Sequence, residues 1–186
     1  SICFGGIELT ALAEEERHLY RWKKISIVFQ NGLNTFNPVL TIRTQIAECL
    51  SRHLKLPKEQ LKSRTETLLD DVGLDRSWAD CYPNQLSGGM LQRILIAMAI
   101  SCEPDILLID EPTTALDAIS KTEIIDLLIR LQEKNRFAMI VASHEMSIIQ
   151  KLTDTLYVMY QGCVMEIGAT ETVMFDPMHP FTRGLV

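Results

Sequence analysis

Two short stretches of this chain bring together the residue types that phosphate chemistry uses. Ser87-Gly88-Gly89-Met90-Leu91-Gln92-Arg93 reads as a flexible turn that opens a helix, and Ile106-Leu107-Leu108-Ile109-Asp110-Glu111-Pro112 reads as a buried strand ending in two carboxylates. A helix start presents unpaired backbone N–H groups and a partial positive charge to an anion. Two glycines let a phosphate approach the backbone with no Cβ in the way, and the Ser87 hydroxyl adds a donor that can equally cap the helix. Asp110, at the strand end, can hold Mg2+ directly or through water. Glu111, set one residue further on, can orient or deprotonate a water for in-line attack on a phosphoryl group. Taken singly, each stretch also fits a plainer description, an ordinary N-cap in the first case and an exposed acidic turn in the second.

Three more polar residues stand at the edges of predicted elements. Gln30 ends a strand and can touch a metal or its water. His144 follows another strand and can donate a hydrogen bond to a phosphate oxygen, although a lone His there also fits a satisfied structural role. Asp117 is placed to cap the helix that follows it. His18, His53 and His179 carry no such context and are read as surface or loop residues.

Positioning these groups requires a scaffold of strands and helices. Ile25-Ser26-Ile27-Val28-Phe29 alternates and is β-branched, which predicts a strand broken by Gln30-Asn31-Gly32. Thr41 is expected to cap a helix over about 42–54, and Pro57 to open a second near 58–72 that Gly73 closes. A short helical piece is expected over 75–81, and a helix from Ser87 to about Ser101 with Met90, Leu91, Ile94, Leu95, Met98 and Ala99 on one face. Residues 105–110 and 137–142 are predicted as buried parallel strands, 119–134 and 145–152 as helices, and 155–160 with 163–167 as a hairpin around Gln161-Gly162. Residues 1–7 read as a strand and turn. The fold class is therefore α/β, a parallel sheet core of residues 1–30 and 102–186 with a helical subdomain inserted over 31–101. In such sheets ligands bind beyond the carboxyl ends of the strands, where the acids and His144 lie.

The bulk numbers narrow the function classes. At 186 residues the chain suits one domain or a core with one insertion, and its net charge of −6 argues against nucleic acid as the main partner. No apolar run reaches the roughly 20 residues of a membrane span, so membrane contact is expected to go through partner proteins. The five cysteines form no C-x-x-C pair, which leaves zinc or cluster ligation without support and favours buried or half-buried free thiols.

In this order the motifs resemble those of the ATP-binding cassette (ABC) ATPases. Phe29-Gln30 looks like the Q-loop, Leu86 to Met90 like the signature motif, Ile106 to Glu111 like Walker B with its catalytic glutamate, Ala115-Leu116-Asp117 like the D-loop, and His144 like the switch histidine. Asn37-Pro38-Val39-Leu40-Thr41-Ile42, Tyr82-Pro83-Asn84-Gln85-Leu86 and the tail His179-Pro180-Phe181-Thr182-Arg183-Gly184-Leu185 are similar to the peptide/nickel importer branch.

That resemblance implies an ATPase that uses ATP and Mg2+, with Glu111, His144 and Gln30 catalytic. It also implies Asp110 and Gln30 at the metal, and Ser87, Gly88, Gly89 and Asp117 at the nucleotide. It implies a second ATPase subunit that pairs head to tail, the signature residues of each serving the other's site. Further partners implied are two membrane permeases and, indirectly, an extracytoplasmic solute-binding protein, on the cytoplasmic face of a bacterial inner membrane. Three departures are notable. No Gly-Lys dipeptide occurs, so the Walker A loop G-x-x-x-x-G-K-[ST] is absent. The chain reads as a fragment lacking that P-loop and the first core strands, and by itself is expected neither to bind nor to hydrolyse ATP measurably. In addition, Leu91 stands where Arg is common, and Glu145 replaces the usual Asp after the switch histidine. The alternatives are a soluble ABC ATPase of another process and a non-catalytic truncated remnant that binds a partner cassette.

Overall fold

The computed structural model describes residues 1–30, 32–114 and 116–186; Asn31 of the expected strand break and Ala115 of the D-loop match lie outside them. At the centre is a three-stranded parallel sheet of β3 (Ile25–Val28), β4 (Ile106–Asp110) and β5 (Ala138–Ala142), in that spatial order. Val28 pairs with Ile109 and Asp110 with Ala142, so all three strands end at one edge. Two antiparallel hairpins stand outside it. One is β1 (Cys3–Phe4) with β2 (Ile7–Glu8), and the other is β6 (Thr155–Tyr160) with β7 (Cys163–Ala169). Gln161 and Gly162, with φ of 50° and 79°, form the turn of the second, matching the left-handed demand of a tight hairpin.

The longer helices pack on the face of the sheet that carries Leu107 and Ile109. The first two long helices of residues 31–101 are α2 (Ile42–His53) and α3 (Lys58–Asp71), which follow α1 (Glu14–Arg17) in the chain. Thr41 caps α2, accepting from the Thr44 N–H at 3.3 Å, and Gly73 follows α3 at φ 70°. The expected helical piece at 75–81 is a 3-10 turn, Arg76–Asp80, because Asp75 draws in the Ser77 N–H and Cys81 already leaves for the next loop. Next comes α4 (Gly88–Ile100), then α5 (Ala118–Asn135) and α6 (Met146–Leu152). Ile94, Ile96, Leu107, Ile124, Leu127 and Leu128 are buried in one core with Ile42, Ile46 and Leu68, so the sheet and the α2–α3 pair share their apolar contacts. The tail holds two short helices not anticipated from the sequence, α7 (Thr170–Phe175) and α8 (Pro180–Leu185).

One expectation needs correction. The stretch 137–142 is not a fully buried strand: β5 is the edge of its sheet, its residues alternate between exposed and half-buried, and Ile140 is 60% exposed. Helices cover the face carrying Leu107 and Ile109, while the opposite face, with Ile27, Leu108 and Ile140, is only partly covered. A continuous apolar run signals burial on both faces only when both are covered. The thiols also depart in part from expectation: all five are free, but Cys3 and Cys163 are exposed. Among the described residues no helix is long and apolar enough to cross a membrane.

Candidate active site

The shared strand edge gathers four of the predicted residues. Asp110 is the last residue of β4 with Glu111 directly after it, His144 follows β5 by two residues, and Gln30 follows β3 by two. Parallel pairing in register brings these chain positions to one side of the sheet.

Glu111 is the most constrained of them. Its N–H donates to the Ala142 carbonyl at 2.9 Å, extending the β4–β5 ladder by one bond. Its φ is 49°, a left-handed conformation that a side-chain-bearing residue adopts only when its surroundings impose it. The turn swings the carboxylate over the end of β5. There Oε1 accepts the His144 N–H at 3.0 Å and lies 2.6 Å from His144 Nδ1, while Oε2 meets the hydroxyls of Thr114 at 3.4 Å and Ser143 at 3.5 Å. The carboxylate side chain is 13% exposed and the imidazole 77% exposed. Such a group can accept a proton from a water on the open side while its other faces are held by donors.

The contact shifts the histidine. The hydrogen bond and charge of Glu111 favour the imidazolium, so His144 titrates above its ordinary value of 6.5. The raised folded value sets the sign. Any stability the contact contributes is fully present below pH 6.5 and is lost as pH rises through the folded pKa. An NMR titration of the His144 imidazole is expected to give a midpoint above 6.5 that falls back in Glu111→Gln; an unshifted midpoint in both would show the contact to be weak in solution.

Asp110 is half-buried, and among the described residues no lysine or arginine pairs with it. A carboxylate and an amide oxygen at the same edge, Asp110 and exposed Gln30, are hard oxygen donors of the kind Mg2+ takes when waters and phosphate oxygens complete its shell. The residues present therefore fit that ion.

A second cluster forms around the start of α5. Ser87 caps α4, its Oγ accepting the Met90 N–H at 3.3 Å. Gly88 faces Leu116, and Gly89 lies so close to α5 that a Cβ there would sit 3.2 Å from Ser120 Oγ. Asp117 caps α5, accepting the N–H groups of Ile119 and Ser120 at 3.0 Å each and the Ser120 hydroxyl at 2.7 Å. Those Ser120 bonds hold its carboxyl below the usual range. The structure thus joins Glu111 with His144, and the Ser87-Gly88-Gly89 tip with the helix of Asp117. Among the described residues no hydrogen bond links the two clusters directly.

Sequence reasoning missed Thr114 and Ser143 as partners of Glu111, although Ser143 beside His144 at a strand end was a usable signal. It also missed Lys121 and Thr113, both bonded to Glu145; 24 residues separate Lys121 from Glu145, too far for any local pattern to register. His53 is a half-buried residue at the end of α2, stacked on Trp22 at 5.5 Å, while His179 does lie in a loop, half-buried, where it caps α8 by accepting the Phe181 N–H at 3.1 Å.

The family profile described as ABC transporter matches residues 1–114. The dipeptide transport ATP-binding protein DppD of Bacillus subtilis (strain 168) is 38% identical over 187 residues, covering 100% of this chain and 56% of the relative. The oligopeptide transport ATP-binding protein OppD of the same organism is 37% identical over 187 residues, covering 100% of this chain and 52% of its own. The chain thus spans about half the length of the curated relatives it matches. Among solved structures, the dimeric post-hydrolysis state of the ATP-binding cassette MJ0796 bound to ADP and Pi superposes with a TM-score of 0.78 at 28% identity, covering 90% of this chain and 72% of that one. With a family match over more than half its residues and an ABC ATPase fold around the Glu111–His144 edge, this chain belongs to the ABC transporter family.

Proposed function

We propose that this chain is part of the ATP-hydrolysing subunit of an importer that takes up peptides, or a related small solute such as nickel, through membrane permeases. The observation that carries the reading is the Glu111 carboxylate, fixed at the end of β4 by His144 and Ser143 in a chain similar along its length to dipeptide and oligopeptide ATP-binding proteins.

In this reading Glu111 accepts the proton of the attacking water, and His144 orients Glu111 and the outermost phosphate. Asp110 and Gln30 hold Mg2+, which when bound neutralises charge on the phosphates. Ser87, Gly88 and Gly89, with Asp117, contact the nucleotide held by a second ATPase subunit, so two copies or two paralogues close on one another. Residues 31–101 form the helical unit that presents the signature, between core segments 1–30 and 102–186. The subunit sits on the cytoplasmic face of the inner membrane, docked on two permeases that an extracytoplasmic binding protein feeds; nucleic acid has no part.

Uptake tests the solute. Cells lacking the gene are expected to lose accumulation of a labelled dipeptide, and the wild-type gene to restore it where a Glu111→Gln copy does not. Loss of nickel uptake with dipeptide uptake intact would overturn the peptide assignment.

A further inference from the structure

The first turn of α5 lies between the two clusters described above. On one side it touches the signature tip: a Cβ on Gly88 would meet Leu116 at 3.7 Å, and one on Gly89 would meet Ser120 Oγ at 3.2 Å. On the other side Lys121, one residue further along, donates from Nζ to Glu145 Oε1 at 2.7 Å. The same oxygen accepts the hydroxyl of Thr113 at 3.2 Å. Thr113 is fully buried and stands two residues beyond Glu111. Glu145 follows His144 directly and is the residue from which α6 starts.

A single carboxylate oxygen therefore gathers three chain segments: the turn after Glu111, the start of α5 and the loop bearing His144. Two further bonds tighten the arrangement. The Lys121 N–H donates to the Asp117 carbonyl at 2.9 Å, and the Glu145 N–H to Ser143 Oγ at 3.1 Å, the hydroxyl that also meets Glu111. The Lys121 and Glu145 side chains are 31% and 25% exposed. Partial shielding of this kind leaves an ion pair less screened than a surface pair, and the lysine holds the Glu145 carboxyl below its usual range.

We propose that Lys121 and Glu145 are positioning residues for ATP hydrolysis, a bracket that keeps the start of α5, and the Gly88-Gly89 tip resting on it, in fixed register with Glu111 and His144. Neither side chain touches the reacting atoms. They act by holding in one geometry the half-site that hydrolyses and the tip that serves the opposite site. The inference rests on the ATPase reading given above.

The test is steady-state kinetics of the assembled ATPase built from the full-length protein, P-loop included. Lys121→Met and Glu145→Gln are each expected to lower kcat about tenfold, with KM for ATP changed by less than about twofold, because a small misplacement costs rate more than binding. Residues acting as one unit are not additive, so the double variant is expected to be no slower than the worse single. Lys121→Arg keeps the pair and is expected to retain most of the turnover. Melting temperatures of all variants are read alongside. If Lys121→Arg is as slow as Lys121→Met, or if KM rises as much as kcat falls, the positioning role is overturned. Glu111→Gln separates the two levels. If it leaves turnover unchanged, the ATPase assignment of this site fails. If it abolishes turnover while both bracket variants stay within about twofold of wild type, the bracket alone fails.

Discussion

Replacing Glu111 by glutamine in the full-length protein that carries this chain together with a P-loop is expected to slow ATP turnover of the assembled ATPase by about 10²–10⁴-fold, the range for loss of a general base, while nucleotide-driven pairing of subunits persists. The substitution is close to isosteric. A glutamine carbonyl oxygen can still accept the His144 N–H, and the backbone bond from the residue 111 N–H to Ala142 does not involve the side-chain charge. What disappears is the ability to take a proton, together with the charge that favours imidazolium at His144. The loss corresponds to about 3–5 kcal/mol of transition-state stabilisation, too large to come from weakening one exposed contact. Single-turnover hydrolysis, with subunit pairing followed by gel filtration in ATP, checks both halves of the prediction. Unchanged turnover would remove Glu111 from the role of base, and loss of pairing would mean that the carboxylate matters for closure rather than for chemistry.

Much of the framework behind this prediction was legible in the chain itself. Ser87, Thr41 and Asp117 each cap the helix that their position predicts, because side-chain oxygens next to free N–H groups are a local signal. The alternation of strands and helices fixed a parallel sheet, and that placed Gln30, Asp110 and His144 at one edge. Three features were not legible, and each for a physical reason. The exposure of β5 depends on which sheet face the helices cover, and an apolar run such as Ala138-Met139-Ile140-Val141-Ala142 is silent on that. The left-handed turn at Glu111 is imposed by its neighbours, not by a glycine or asparagine that would announce it. The Lys121–Glu145 contact joins two helix starts that come together only once α5 and α6 have packed. Tertiary contacts between distant segments leave no periodicity, so the carboxylates and His144 could be named from sequence while the Lys121–Glu145 pair could not.

The signature tip offers the sharpest separation of folding from function. Gly89→Asp is expected to lower turnover of the assembled ATPase by at least about 10²-fold, without lowering the melting temperature of the chain. The two effects have opposite signs for a reason. A carboxylate in the first turn of α4 interacts favourably with the helix dipole, worth roughly 0.3–1 kcal/mol. That gain offsets the tight 3.2 Å approach of the new Cβ to Ser120 Oγ, which a shift of a few tenths of an ångström relieves. The same negative charge faces the triphosphate that the tip is proposed to meet across the subunit boundary. Two unit charges about 4 Å apart near a protein surface repel by about 4 kcal/mol, far more than the helix gains. Gly89→Ala carries the steric change without the charge and is expected to lose clearly less activity than Gly89→Asp. Since the tip serves the opposite site, ATP affinity of an unpaired full-length subunit is expected to be the same in all three proteins, while ATP-driven pairing fails only in Gly89→Asp. Full turnover in Gly89→Asp, or equal losses in Gly89→Asp and Gly89→Ala, would place the triphosphate away from this helix start and leave Ser87 with capping α4, and Gly88 and Gly89 with packing against Leu116 and Ser120, as their whole role.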